Sequence, residues 1–189
     1  MAKTGDRFKD LDGSVITVTR AAAETGGEYV EIELELPSGC SPPPPHIHPR
    51  QLEEYEVLEG HFDVMVDGKW RTLGPGETAS VPPGELHTFR NRSGSLVRVR
   101  NWHRPALRFE EFGAAMYATI QAAGIRRRRD PRIPLYLSMV VEQFEDTFVL
   151  GPRQRPVVRA LARLGRLIGL RTAPASRLTE TVSRRPEAL

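Results

Sequence analysis

The sequence predicts a mainly β fold over residues 1–104, an antiparallel sandwich or barrel, followed by a helical extension of about three α-helices over 105–189. Three observations carry that reading. Residues 14–102 hold short apolar–polar alternations of period two, separated by glycine, proline and aspartate turn signals. After Pro105 the apolar period becomes that of a helix. The 189 residues include 16 glycines and 16 prolines, too many for a plain helical bundle.

The clearest strand runs from Tyr29 to Leu36, where Val30, Ile32, Leu34 and Leu36 alternate with Glu31, Glu33 and Glu35. Such a strand has one dry face and one wet face. The same reasoning predicts strands at Val15–Thr19, Tyr55–Glu59, Phe62–Val66, Trp70–Leu73, Thr78–Val81, Leu86–Asn91 and Leu96–Trp102. Asp12-Gly13, Gly26-Gly27, Asp67-Gly68, Gly74-Pro75-Gly76, Pro83-Gly84 and Ser93-Gly94 supply the turns between them. Beyond Pro105, Phe109, Phe112, Met116 and Ile120 recur at helical spacing through an alanine-rich stretch ending at Gly124. An arginine run, Arg126–Arg129, connects it to a second apolar period over Leu135–Val149, which includes Met139, Val140 and Phe144. A third helix is expected from Pro156, a residue tolerated in a first turn. Its apolar face is Val157, Leu161, Leu164 and Ile168, with Arg159, Arg163 and Arg166 opposite. The tail from Arg171 reads as polar and frayed.

Composition excludes several function classes. Cys40 is the single cysteine, so neither an intrachain disulfide nor a cysteine-rich zinc module can form. No uncharged apolar run reaches the ~20 residues of a membrane span. The first residues lack the apolar core of a signal peptide, so a cytoplasmic location is expected. The net charge of +3 conceals an asymmetry: residues 1–104 carry 12 Lys and Arg against 16 Asp and Glu, whereas 105–189 carry 15 against 8. The basic half reads as a solvated face rather than a nucleic-acid surface. The stretch 156–170 has the profile of either a membrane-surface helix or a packing helix, and packing onto the barrel or a symmetry mate is the favoured reading.

The chemistry is carried by histidines. His46 and His48 are two apart and share a side if they lie on one strand. Glu53 follows shortly after, and His87 arrives from a later strand. Three imidazoles and a carboxylate facing one barrel interior make a mononuclear site of nitrogen and oxygen donors. A His-x-His pair alone also fits two ordinary histidines in a proline-rich loop. Here, however, the spacing extends further: His46-Ile47-His48, four residues, Glu53, six residues, Gly60; then Gly76, five residues, Pro82, one residue, Gly84, two residues, His87, three residues, Asn91. Gly60 suits a sharp bend after a strand, Pro82-Pro83-Gly84 a tight turn that delivers His87, and Asn91 an amide that ties down backbone.

These two signatures, fifteen residues apart, strongly resemble those of the cupin superfamily over roughly residues 28–102. One position departs: Cys40 stands where the first signature usually opens with glycine, and Gly39 is one residue earlier. The resemblance implies a cupin jelly-roll (double-stranded β-helix) barrel. It implies His46, His48, Glu53 and His87 as ligands of one divalent transition metal, whether Fe, Mn, Ni, Cu or Zn. The implied substrate pocket is apolar and includes Val57, Phe62, Val64 and Phe89, with Val66 also inward and Trp102, Tyr55 and Arg100 toward its mouth. His61 and His103 lack ligand spacing and read as surface or rim residues. The implied activity is metal-dependent oxygenation of a small organic molecule, with Glu53 available as a base if it leaves the metal. Two alternatives stand beside it: a non-catalytic ligand- or metal-binding protein, and a Lewis-acid isomerase or cyclase. A small-molecule substrate and a homodimer are the partners that fit.

Overall fold

The computed structural model describes residues 2–174, so the predicted frayed tail beyond position 174 lies outside the described residues. Eleven strands form two antiparallel sheets. In chain order they are β1 (Arg7–Lys9), β2 (Val15–Arg20), β3 (Val30–Leu36), β4 (His46–Ile47), β5 (Leu52–Glu59), β6 (Phe62–Val66), β7 (Lys69–Leu73), β8 (Thr78–Val81), β9 (His87–Arg90), β10 (Val97–Arg104) and β11 (Val149–Leu150). One sheet has the order β1-β2-β3-β10-β5-β8 and the other β11-β4-β9-β6-β7. The helices are α1 (Phe109–Ala122), α2 (Ile133–Val141) and α3 (Arg155–Leu167).

Period two decides which side chains enter the barrel. On β3 the valine, isoleucine and leucines are buried, and on β10 every second residue from Val97 to His103 is buried. These join Tyr55, Val57, Phe62, Val64, Leu73 and Val81 in one core. The intervening glutamates face out and meet arginines across the sheet: Arg98 lies 2.7 Å from Glu33, Arg100 2.8 Å from Glu56 and Arg104 3.0 Å from Glu54. Opposite charges on neighbouring strands favour this register, and a slip of one residue would bury the carboxylates.

Two signature residues shape the barrel. Gly60 has φ of 80°, and a Cβ there would lie 2.8 Å from the Leu96 carbonyl oxygen, so only glycine fits the turn between β5 and β6. The Asn91 amide donates to the carbonyls of Leu36 and Ser95, each at 2.7 Å, holding the loop before β10 to the end of β3.

The structure departs from the sequence expectation at the second helical stretch, at the shortest strands and on α3. The stretch expected as one helix over Leu135–Val149 ends as α2 at Val141, tightens into a 3₁₀ turn at Glu142–Phe144, and finishes as β11. Its apolar residues serve different partners: Val140 and Phe144 pack with α1, whereas Val149 and Leu150 pair with Ile47 and His46 of β4. The short strands β1, β4 and β11 have too few residues to show a period. On α3 the buried face is Val158, Ala162 and Gly165, not the larger stripe of Val157, Leu164 and Ile168, which stays exposed. Gly165 explains the choice, because a Cβ there would lie 2.6 Å from the Met139 sulfur on α2. Small residues let the two helices approach closely.

Among the described residues, no helix is long and apolar enough to cross a membrane.

Candidate metal centre

Four of the predicted site residues converge inside the barrel. His46 and His87 are register partners on β4 and β9, His48 follows β4, and Glu53 projects inward from β5. One ligand atom from each lies within 4.8 Å of the others, and all four side chains are buried.

The orientation of each imidazole follows from its outer nitrogen. Nδ1 of His46 lies 3.0 Å from the Pro44 carbonyl, Nδ1 of His48 2.6 Å from the Thr147 carbonyl, and Nδ1 of His87 2.9 Å from the Glu85 carbonyl. A carbonyl only accepts, so in each ring Nδ1 carries the proton and donates it. Neutral rings in that tautomer present an unprotonated Nε2 to the centre, as metal coordination requires.

Glu53 is held from one side. Its Oε1 accepts from the Asn101 amide at 3.0 Å, and His103 Nε2 lies 3.5 Å from the same oxygen. Its Oε2 sits 2.7 Å from His87 Nε2, yet neither atom has a hydrogen-bond partner. A carboxylate oxygen and an imidazole nitrogen, both buried and facing one point, lack a hydrogen that would satisfy both while His87 is neutral. A divalent cation satisfies them together, and the donor set fits one.

Burial drives the charge states. Desolvation holds His46 well below the usual histidine range and lowers His48. It holds His103 down to about 3. Burial would raise Glu53, but its contacts with His103, His87 and His48 outweigh this and keep it well below the usual carboxylate range. For His87, burial is outweighed by the Glu53 carboxylate, which raises its pKa.

These shifts link stability to pH. Below the ordinary histidine pKa of ~6.5 the unfolded chain binds protons that folded His46, His48 and His103 refuse. Stability of the metal-free protein is therefore full above that value and falls as pH drops below it, continuing toward about 3 for His103. Each such group contributes roughly 1.4 kcal/mol per pH unit; His87, shifted upward, opposes them. Thermal melting near pH ~5 and ~7.5 should show a clear loss at the lower pH. An unchanged melting temperature would contradict the buried, neutral histidines.

The roof of the site comes from beyond the barrel strands. Phe148 stacks on His46 with ring centroids 4.5 Å apart, and Phe109 stacks on His103 at 3.5 Å. Phe112 of α1 stacks on Phe148 at 4.7 Å. Thus the chain after Pro105 supplies the Thr147 carbonyl, β11 and three aromatic rings to the centre.

The profile described as "Cupin domain" matches residues 32–108, the segment that carries all four converging side chains. Residues 32–108 are a cupin domain. The cupin domain is 30% identical over 86 residues to oxidoreductase OpS7 of Beauveria bassiana, a match covering 42% of this chain and 28% of that protein. It is 27% identical over 93 residues to quercetin 2,3-dioxygenase of Bacillus subtilis, covering 49% of this chain and 28% of that one. The chain thus spans little more than a quarter of either relative. A crystal structure of a predicted oxalate decarboxylase from Thermotoga maritima is similar with a TM-score of 0.48 and 18% identity, covering 55% of this chain and 93% of that one.

Of the pocket residues expected from the sequence, Val57, Phe62 and Val64 are fully interior, and Phe89 packs on Phe62 at 5.4 Å between ring centroids. Tyr55 is buried, with a hydroxyl that has no partner. Trp102 is a correction: it lies on the outer face of β10, and its indole N–H donates to Glu31 at 2.8 Å. Arg100 also faces out, paired with Glu56. His103 is the opposite correction, for it is no rim residue but is 1% exposed and beside Glu53. Strand parity could have found both, because Val97 and Val99 face inward and so, two and four residues on, do Asn101 and His103. Thr147 and Phe148 had no signal in the sequence.

Proposed function

We propose that this cupin holds one divalent transition metal on His46, His48, Glu53 and His87 and oxygenates a small, partly apolar organic molecule. The observation that carries the reading is the closed donor set itself: three oriented Nε2 atoms and one unpaired carboxylate oxygen inside an apolar barrel. A bound metal of this kind supplies Lewis acidity and, for iron, manganese, nickel or copper, one-electron chemistry with dioxygen. The backbone carbonyls of residues 44, 85 and 147 fix the three rings. Asn101 fixes the carboxylate, which favours Glu53 as a steady ligand over Glu53 as a base that leaves the metal. Phe109, Phe112 and Phe148 keep water from the centre, and in a dry site every electrostatic contact is stronger. The quercetin dioxygenase of Bacillus subtilis, similar over half of this chain, supports the reaction class.

One observation favours a second reading. Phe148 and Phe109 stack directly on His46 and His103, so the roof suits a site that keeps its metal without turnover. Oxygen uptake separates the two. Protein loaded with iron, manganese or nickel should consume oxygen with at least one member of a panel of enols, flavonols, thiols and diketones, and uptake should vanish in Glu53→Ala and His87→Ala. A ligand bound but unaltered under air would favour the non-catalytic reading. Product formed equally fast without oxygen would favour a Lewis-acid isomerase or cyclase.

A further inference from the structure

Among the described residues, seven large hydrophobic side chains are exposed, and four of them lie together on α3 and its C-terminal cap. Val157 is 57% exposed, Leu164 47%, Leu167 77% and Ile168 58%. With successive residues turned by about 100°, the helix divides into three sectors. Val158, Ala162 and Gly165 face α2. Val157, Leu164 and Ile168 form an exposed apolar stripe with Leu167 at its edge. Arg155, Arg159, Arg163 and Arg166 form a basic stripe along the remaining side. Single exposed apolar residues are ordinary, but a contiguous stripe along one helix is not.

The arginines are under-neutralised. Arg166 meets Glu142 at 2.6 Å and Arg159 approaches Glu145 at 3.9 Å, whereas Arg153, Arg155 and Arg163 have no ionic partner among the described residues. Arg159, Arg163 and Arg166 line an open groove of about 550 Å³ in which Glu142 is the sole carboxylate.

We infer that this face of α3 docks on an anionic lipid surface. The apolar stripe enters among the acyl chains while the guanidinium groups reach lipid phosphates beside it, the arrangement of an interfacial helix. Charge argues against the two nearest rivals. Residues 175–189 carry three arginines and two glutamates, so they bring no net negative charge to the basic stripe. A second copy of the chain would offer the outer carboxylates of its large sheet, but Glu31, Glu33, Glu35, Glu54 and Glu56 already lie within ion-pair distance of Arg7, Arg98, Arg100 and Arg104. An anionic lipid surface supplies both at once, the missing charge from its phosphates and the missing apolar medium from its acyl chains.

Sedimentation of the full chain with vesicles tests the inference. The protein should pellet with phosphatidylcholine vesicles in which a third of the lipid is phosphatidylglycerol, not with phosphatidylcholine alone, and added salt should release it. Replacing two arginines, Arg155→Gln with Arg163→Gln, should weaken binding about 30-fold at low salt. Leu164→Glu with Leu167→Glu should abolish it. All four positions are exposed, so circular dichroism and melting temperature should be unchanged. Equal binding to neutral vesicles, no binding to either, or variants that bind like the parent would overturn the inference. A dimer that Leu164→Glu with Leu167→Glu splits, with no vesicle binding by the parent, would overturn it too and assign the face to a second copy.

Discussion

His48→Ala is expected to abolish stoichiometric metal binding while leaving the barrel folded. Nε2 of His48 faces the centre because Nδ1 donates to the Thr147 carbonyl at 2.6 Å. Removing an outer partner of a ligand typically costs ~10–100-fold in affinity. Removing the donor atom itself costs more, since three of the four side chains cannot close the site. The fold should survive, because the barrel rests on a separate apolar core running from Val30, Ile32 and Leu34 to Val97 and Val99. The variant does leave the buried Thr147 carbonyl without its donor, a cost of roughly 1–3 kcal/mol against a typical net stability of ~5–15 kcal/mol. A lowered but cooperative melt is therefore expected. Elemental analysis of purified protein and circular dichroism check the two halves, and full metal occupancy in the variant would remove His48 from the ligand set. Glu53→Gln, which keeps the shape and loses the charge, gives an independent loss of metal if His48→Ala fails to fold.

Truncation after Pro105 should do more damage: an aggregation-prone fragment that also fails to hold metal. The buried Phe148 and the partly buried Phe109 and Phe112 would be lost, and a fully buried aromatic side chain contributes roughly 1.5–3 kcal/mol. Phe148 alone is then a sizeable share of a typical net stability of ~5–15 kcal/mol. The cut also uncovers His46 and His103, on which two of these rings stack, and strips β4 of its partner β11. With β11 gone, the Thr147 carbonyl that orients His48 goes too. Size-exclusion chromatography, thermal melting and metal analysis of fragment 1–105 report on each loss. A soluble monomer with unchanged melting temperature and bound metal would show that the barrel and its centre stand without the helices.

Much of the barrel is legible in the sequence because its cues are local. Val30-Glu31-Ile32-Glu33-Leu34-Glu35-Leu36 declares its own dry face, and Phe62–Val66 and Thr78–Val81 are predicted with the bounds observed. The family resemblance puts Trp102 toward the pocket mouth, and the lack of ligand spacing puts His103 at the rim, yet the alternation from Val97 sends Trp102 out to Glu31 and His103 in to Glu53. The second helical stretch misled for a different reason. Its apolar residues continue past Val141 at plausible spacing, but they are divided between α1 and β4.

Spacing along the chain is enough to set the alternating strands, the turns that separate them, and the grouping of His46, His48, Glu53 and His87 as candidate donors. Those follow from residue spacing along one chain, and spacing survives whatever the rest of the molecule does. Packing between distant segments settles that the Thr147 carbonyl and the Phe148 ring lie against His48 and His46, that His103 sits beside Glu53, and that α3 buries its small face and leaves its large one exposed. A two-residue strand such as β11 has no period of its own and exists because β4 offers it an edge. The packed face of α3 was likewise settled by Met139 needing the space that Gly165 leaves open, a demand made by a neighbour and invisible in the helix itself.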